Sequence, residues 1–219
     1  MTASLIPDVI DQLAGIQPGD ALDALRAQRP QARLHAQQSH LALFHPAESA
    51  SGHATQFVAA ERFALAAFVA GLHGQSDFVA FYAAGLSRSG APRGWVEVVA
   101  AQAAEGAARG PYGRFPAGPL SAEDADGPVY VVDDVHRAVF GERLSAGFAH
   151  AHLLVFHPRD AQANALQALL DAGWTTTDIV TLSQLVAFLS FQGRVVAGLR
   201  TLATLGAAPT SQPLERATP

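Results

Sequence analysis

Six side chains carry the chemistry this sequence offers. Glu61 and His73 flank an apolar run. If a turn folds His73 back toward Glu61, the two make a carboxylate–imidazole pair able to shuttle a proton near neutral pH. The alternative is a surface glutamate beside Arg62 and a histidine that caps a helix. Tyr82 can offer a hydroxyl to the same pocket, although a tyrosine among Phe78 and Phe81 suits a core equally well. Gln184, Gln192 and Arg194 lie amid apolar neighbours, where amides and guanidinium groups must find partners. The favoured reading is a structural network tying two helices or two subunits. If Arg194 instead faces an open pocket, it suits a carboxylate-bearing ligand through paired hydrogen bonds.

Much other chemistry is excluded by composition. The chain has 219 residues and no cysteine, which removes disulfides, zinc–thiolate sites and thiol catalysis. It also has no lysine, so no Schiff base can form. Gly-rich phosphate loops and a Gly-x-Ser-x-Gly elbow are absent. His150 and His152 point to roughly opposite sides of a helix, and His150 and His157 share a face but lie too far apart to chelate unaided. His136 near Asp133 and Asp134 makes a metal cluster on paper, but such an acidic run is more often solvated. The sequence therefore predicts no metal and no cofactor. A net charge of −5 gives no reason to expect nucleic acid or an anionic membrane as partner.

The elements that must position these residues read as helices. About half the chain is hydrophobic and only 15% is charged, with alanine prominent, which suits closely packed helices. Short helical pieces are expected over 8–14, 21–28 and 31–44, then a small-residue loop over 47–55. Apolar spacing predicts helices over 56–72, 77–86 and 95–109. Prolines and glycines make 110–128 the best connector, and Val129 to Val132 is a brief β-favouring run. Helices resume over 141–156 and 160–171. Thr175 to Asp178 resembles a helix N-terminus, opening a helix to about Leu189. A kink near Ser190–Gly193 should precede a last helix over 192–205. The expected organisation is an N-terminal helical extension (1–55), a first unit (56–109), a connector (110–140), a second unit (141–205) and a tail (206–219). The helix–break–helix stretches 56–86 and 176–205 read as an internal repeat.

Four short segments carry a resemblance: Gly-Pro-Tyr-Gly at 110–113, His-Pro-Arg-Asp at 157–160, Leu-Ser-Gln-Leu at 182–185, and Phe-Gln-Gly-Arg at 191–194. With the two helical units, they resemble a cysteine-poor subfamily of the carboxymuconolactone decarboxylase (CMD) and AhpD-like superfamily, which is related to alkylhydroperoxidases. The peroxidase members place a glutamate on one helix and a Cys-x-x-Cys-x-x-x-His run at the start of the next. On that pattern Glu61 takes the glutamate's place and His73 that of the first cysteine. Ser76 then matches the second cysteine and Ala80 the histidine. A two-residue insertion would instead put Phe78 at the second cysteine and Phe81 or Tyr82 at the histidine. In the second unit Asp178 has the glutamate's spacing to Ser190 and Gly193. Serine cannot replace a thiolate in peroxide reduction, so a thiol-peroxidase mechanism is excluded.

The resemblance implies an all-α, AhpD-like helical bundle with two helix–break–helix repeats and a homo-oligomeric state (dimer, trimer or hexamer). It also implies a small organic ligand, bound with general acid–base catalysis by Glu61, His73 and Tyr82 beside Gln184, Gln192 and Arg194. The rival is a non-catalytic scaffold or accessory protein on the same fold. No apolar run is expected to approach the ~20 residues of a membrane span. Residues 1–7 lack a charged start before an apolar stretch, so a cytoplasmic location is expected.

Overall fold

Among the residues that the computed structural model describes, 6–46 and 56–206, the regular elements are all helical. They are α1 (Val9–Ala14), α2 (Ala21–Ala27), α3 (Pro30–Phe44), α4 (Ala59–His73), α5 (Ser76–Arg88), α6 (Trp95–Glu105), α7 (Asp134–Phe156), α8 (Ala163–Asp171) and α9 (Thr176–Gly206). The expected all-α class is what the structure shows. Val129 to Val132 forms no strand, and the one β-bridge among the described residues joins Gly113 to Ala125. The loop expected at 47–55, and the tail beyond 206, lie outside the described residues.

The sequence of α4 explains the layout. Every side chain from Ala64 to Ala70 is buried, so the helix is apolar all round and must be enclosed on all sides. It packs against α5, α6, α7 and α9. One continuous core runs from Val9 and Ile10 of α1 through Phe68 and Phe148 to Leu185 and Leu199 of α9. The N-terminal helices are part of this body. Arg26 reaches Asp8 at 2.8 Å and pairs with Asp11, while Arg200 of α9 donates to the Leu13 carbonyl at 2.6 Å and to Asp77 at 2.7 Å.

Glycine decides how closely α4 meets α6. A Cβ on Gly71 would lie 2.5 Å from the Cβ of Ala103, and neither atom can rotate away. Gly71→Ala is therefore expected to force the helices apart and destabilise the protein by about 1–2 kcal/mol, the overpacking cost exceeding the gain in helix propensity. A Cβ on Gly198 of α9, by contrast, would meet nothing within 4 Å. Gly198→Ala should raise stability by about 0.5–1 kcal/mol. Urea midpoints of the two variants should move in opposite directions; parallel shifts would refute the close contact.

The second half departs from expectation. α4 stops at Gly74, whose left-handed φ of 68° turns the chain into α5. No such stop exists at Ser190–Gly193, and α9 runs unbroken for 31 residues. Gly193 stays helical and lets the Phe78 ring come close, a Cβ there meeting Phe78 at 3.3 Å. The predicted break marked a packing contact, not a turn. Unbroken, α9 is long and apolar enough to cross a membrane by length and composition, with a mean hydropathy of 1.4 over its best window. That corrects the expectation that no run would qualify. Half of that window is buried in this structure, where α9 packs against α1, α4, α7 and α8.

Candidate functional site

An enclosed helix can carry ionisable groups only at its ends, and α4 does so. Glu61 lies in its first turn and His73 is its last residue. At 1.5 Å per residue they stand about 18 Å apart along the axis. The expected Glu61–His73 pair is not formed, because the turn that was to fold His73 back comes after it, at Gly74.

Each end has its own partners. Glu61 accepts the Val58 backbone N–H at 3.3 Å and pairs with Arg143 of α7. Arg143 also approaches Asp178, in the first turn of α9, at 3.6 Å, and its guanidinium lies 4.2 Å above the Trp174 ring. At the other end the His73 Nε2 meets the Ser190 Oγ of α9 at 3.2 Å. His73 thus meets α9 directly, the Glu61 end is bridged to it by Arg143, and the two helices run side by side in the same direction. Ser190 follows Asp178 by the interval that separates His73 from Glu61.

His73 and Ser190 open onto a cleft of about 720 Å³. Leu154, Val155 and Phe156, Val186 and Ala187, and Pro111 and Pro158 form its apolar walls. Its charged lining consists of Arg109 and Arg194, and no carboxylate lines it. Among the described residues neither arginine forms an ion pair; Arg194 donates at 3.1 Å to the Ser190 carbonyl of its own helix. Burial, and next the positive Arg194, lower the His73 pKa below its ordinary 6.5. The ring is neutral at pH 7, with a nitrogen free to accept a proton.

The connector reaches the cleft through backbone contacts. The Tyr112 N–H donates to the Phe156 carbonyl at 2.6 Å, and a Cβ on Gly110 would meet that carbonyl at 3.0 Å. Asp160 accepts the Arg114 N–H at 3.2 Å and bonds His157 at 3.1 Å, while His157 reaches the Pro128 carbonyl at 3.0 Å. The Gly-Pro-Tyr-Gly and His-Pro-Arg-Asp segments therefore hold one another in place at the end of α7.

The other predicted residues fall elsewhere. Tyr82 is fully buried and donates to the Gln192 Oε1 at 2.5 Å, a bond tying α5 to α9. Its hydroxyl, with a pKa pushed up by burial, faces no open pocket. Gln192, also fully buried, acts as a strut, the network reading of that residue. Gln184 is exposed on α9 and does not line the cleft. Of the six sequence candidates, the cleft gathers His73 and Arg194. Sequence reasoning missed Arg109, and it weighed Ser190 only as a cysteine replacement. The signal for Ser190 was its spacing from Asp178; for Arg109 it was adjacency to Gly110.

Among the described residues no cluster of three or more His, Asp and Glu side chains could hold a metal ion. His136 instead pairs with Asp133, the N-cap of α7, and that bond holds the carboxyl down at about 2. The Gln102 amide joins them, lying 3.2 Å from Asp133 and 3.1 Å from His136. Compared with protein-family models, with curated proteins and with solved structures, the chain matches none.

Proposed function

We propose that the protein is a cysteine-free relative of the AhpD-like and CMD group that binds a small organic acid in the His73 cleft. The observation that carries this reading is the pair of guanidinium groups, Arg109 and Arg194, lining an apolar-walled cleft without a carboxylate partner. Such a cleft suits an anion with a hydrocarbon body: the arginines take the carboxylate and the walls take the rest. Each of the four segments behind the resemblance supplies lining residues: Gly110 and Pro111, Pro158, Ser183, and Arg194. A neutral imidazole beside a bound acid is a proton acceptor. General acid–base catalysis would then fall to His73 with Ser190, and not to Glu61.

Titration calorimetry with benzoate and benzamide tests the binding. Benzoate should bind and benzamide should not. Arg194→Ala and Arg109→Ala should each weaken benzoate by about tenfold, the scale of one charge-assisted bond. Equal affinity for the two probes, or benzoate binding indifferent to both substitutions, would reject the anion site.

The scaffold reading keeps one observation on its side. Phe68, Phe78 and Tyr82 fill the space beside α5, where the peroxidase pattern would put its reactive groups. A homo-oligomer is part of either reading, supported by exposed apolar residues along α9, among them Val180, Phe191 and Leu202.

A further inference from the structure

The solvent side of α9 is a ridge of Val180, Gln184, Ala187, Phe191, Arg194 and Gly198, all exposed. Steps of three and four residues keep them on one line, with Val180 and Gly198 about five turns apart. On that ridge only Arg194 is charged. Val180 is 57% exposed and Phe191 48%. The solvent face of a helix is ordinarily charged and polar, so this one is suited to another protein surface.

The order of residues along the ridge identifies that surface. A second α9 can lie against it antiparallel, with a two-fold axis level with Leu189. Phe191 then faces the partner's Ala187, Val180 faces the partner's Gly198, and Arg194 faces the partner's Gln184. Each large apolar side chain meets a small residue. A Cβ on Gly198 would touch nothing within 4 Å, so the Val180 methyls have room there. The guanidinium meets an amide oxygen able to accept from it. The two copies of Arg194 stay about 15 Å apart along the axis.

Other arrangements lose this fit. Sliding the copies by one heptad in one direction brings the two arginines to within about 5 Å along the axis. Sliding them the other way sets Phe191 against Val180. A parallel pair stacks Phe191 on Phe191 and Arg194 on Arg194, with like charges opposed. We infer that the protein is a two-fold dimer joined along α9 in the antiparallel register centred on Leu189.

The same register completes the His73 cleft. Ala187 and Arg194 line that cleft, so the partner's Phe191 and the partner's Gln184 arrive at its rim. Gln184 does not line the cleft of its own copy, yet in the dimer it supplies an amide beside Arg194 of the other. That amide is a further donor for a bound carboxylate. This last step rests on the organic-acid reading of the cleft, whereas the dimer does not.

Because the chain has no native cysteine, the register can be read by cross-linking. Val180→Cys, Gly198→Cys and the double variant are each oxidised with copper phenanthroline and run on a non-reducing gel. Only the double variant should form a linked dimer, since in this register each position lies about 27 Å from its own copy along the axis. Linking by either single variant marks a parallel or shifted pair and overturns the register. No linking by the double variant, or a wild type that sediments as a monomer throughout the micromolar range, overturns the dimer. Phe191→Glu should weaken association by at least about tenfold in sedimentation velocity; an unchanged dimer would place the interface elsewhere. Gln184→Ala should weaken benzoate binding to the dimer by about threefold, the scale of one neutral hydrogen bond. Benzoate affinity unaltered in Gln184→Ala removes the partner's amide from the site. A protein that links in register but binds no benzoate refutes the organic-acid reading and keeps the dimer.

Discussion

Between pH 7 and pH 4.5 the protein is expected to lose about 2–3 kcal/mol of stability through His40 alone. The side chain sits in the core of α3, its ring centroid 5.0 Å from Phe44 and 6.2 and 6.3 Å from Phe81 and Phe188. Its Nδ1 is buried without a partner. Burial first, and the neighbouring His45 second, push its pKa down from 6.5 to about 4, against the weaker pull of Asp8. The unfolded chain takes up this proton near pH 6.5, and the folded protein not until about pH 4. Between those values the unfolded state binds more protons, so stability falls as the pH falls.

His73, His150 and His152 are lowered in the same direction by burial and add to the loss. Carboxylates held low, such as Asp133 and Asp160, contribute only below their ordinary 3.8, which leaves the window from 6.5 to 4 to histidine. Urea midpoints at pH 7, 5.5 and 4.5 measure the effect. His40→Phe should fit among the surrounding rings, cost little at pH 7 and flatten the acid slope. Stability that stays level down to pH 4.5, or a slope unaltered in His40→Phe, would show that the ring is not buried neutral.

What could be read from the residues tracks the range of the interactions involved. The helices of α3, α4 and α5 were legible because apolar spacing and Gly/Pro stops are local signals, and Gly74 ended α4 close to where expected. Gly193 carried the same letter and the opposite meaning. Whether a glycine stops a helix or admits a neighbour depends on what packs there, and here Phe78 does, from a helix far away in sequence. The site failed for a related reason. Glu61 and His73 looked like partners because they were near in sequence, but a helix holds such residues rigidly apart. Their true partners, Arg143 and Ser190, lie 82 and 117 positions away. For Arg194 the sequence favours a polar network first, with an anion as the alternative if it faces an open pocket; it bonds the Ser190 carbonyl of its own helix and lines the cleft.

The Arg143 cluster is where a single substitution should cost most. Arg143→Met is expected to destabilise the protein by about 3 kcal/mol, since removing one member of a buried ion pair leaves the remaining carboxylates less well compensated. The guanidinium joins three elements at once: Glu61 of α4, the fully buried Asp178 of α9, and the Trp174 ring. Its own backbone carbonyl accepts the Trp174 indole N–H at 2.7 Å, which fixes the ring beneath it. Arg62 keeps a positive field on Asp178 and limits the loss. Arg143→Lys retains the charge but neither the planar fork nor the stacking, so it should cost about half as much. Glu61→Gln combined with Arg143→Met should lose less than the two single changes summed, the mark of a direct pair. The same variants separate the two ends of α4. Glu61→Gln should lower the urea midpoint yet leave benzoate affinity unchanged, because the cleft is about 18 Å away along the helix. If benzoate binding fell as far in Glu61→Gln as in Arg194→Ala, the carboxylate would belong to the cleft after all, and the two ends would work as one site.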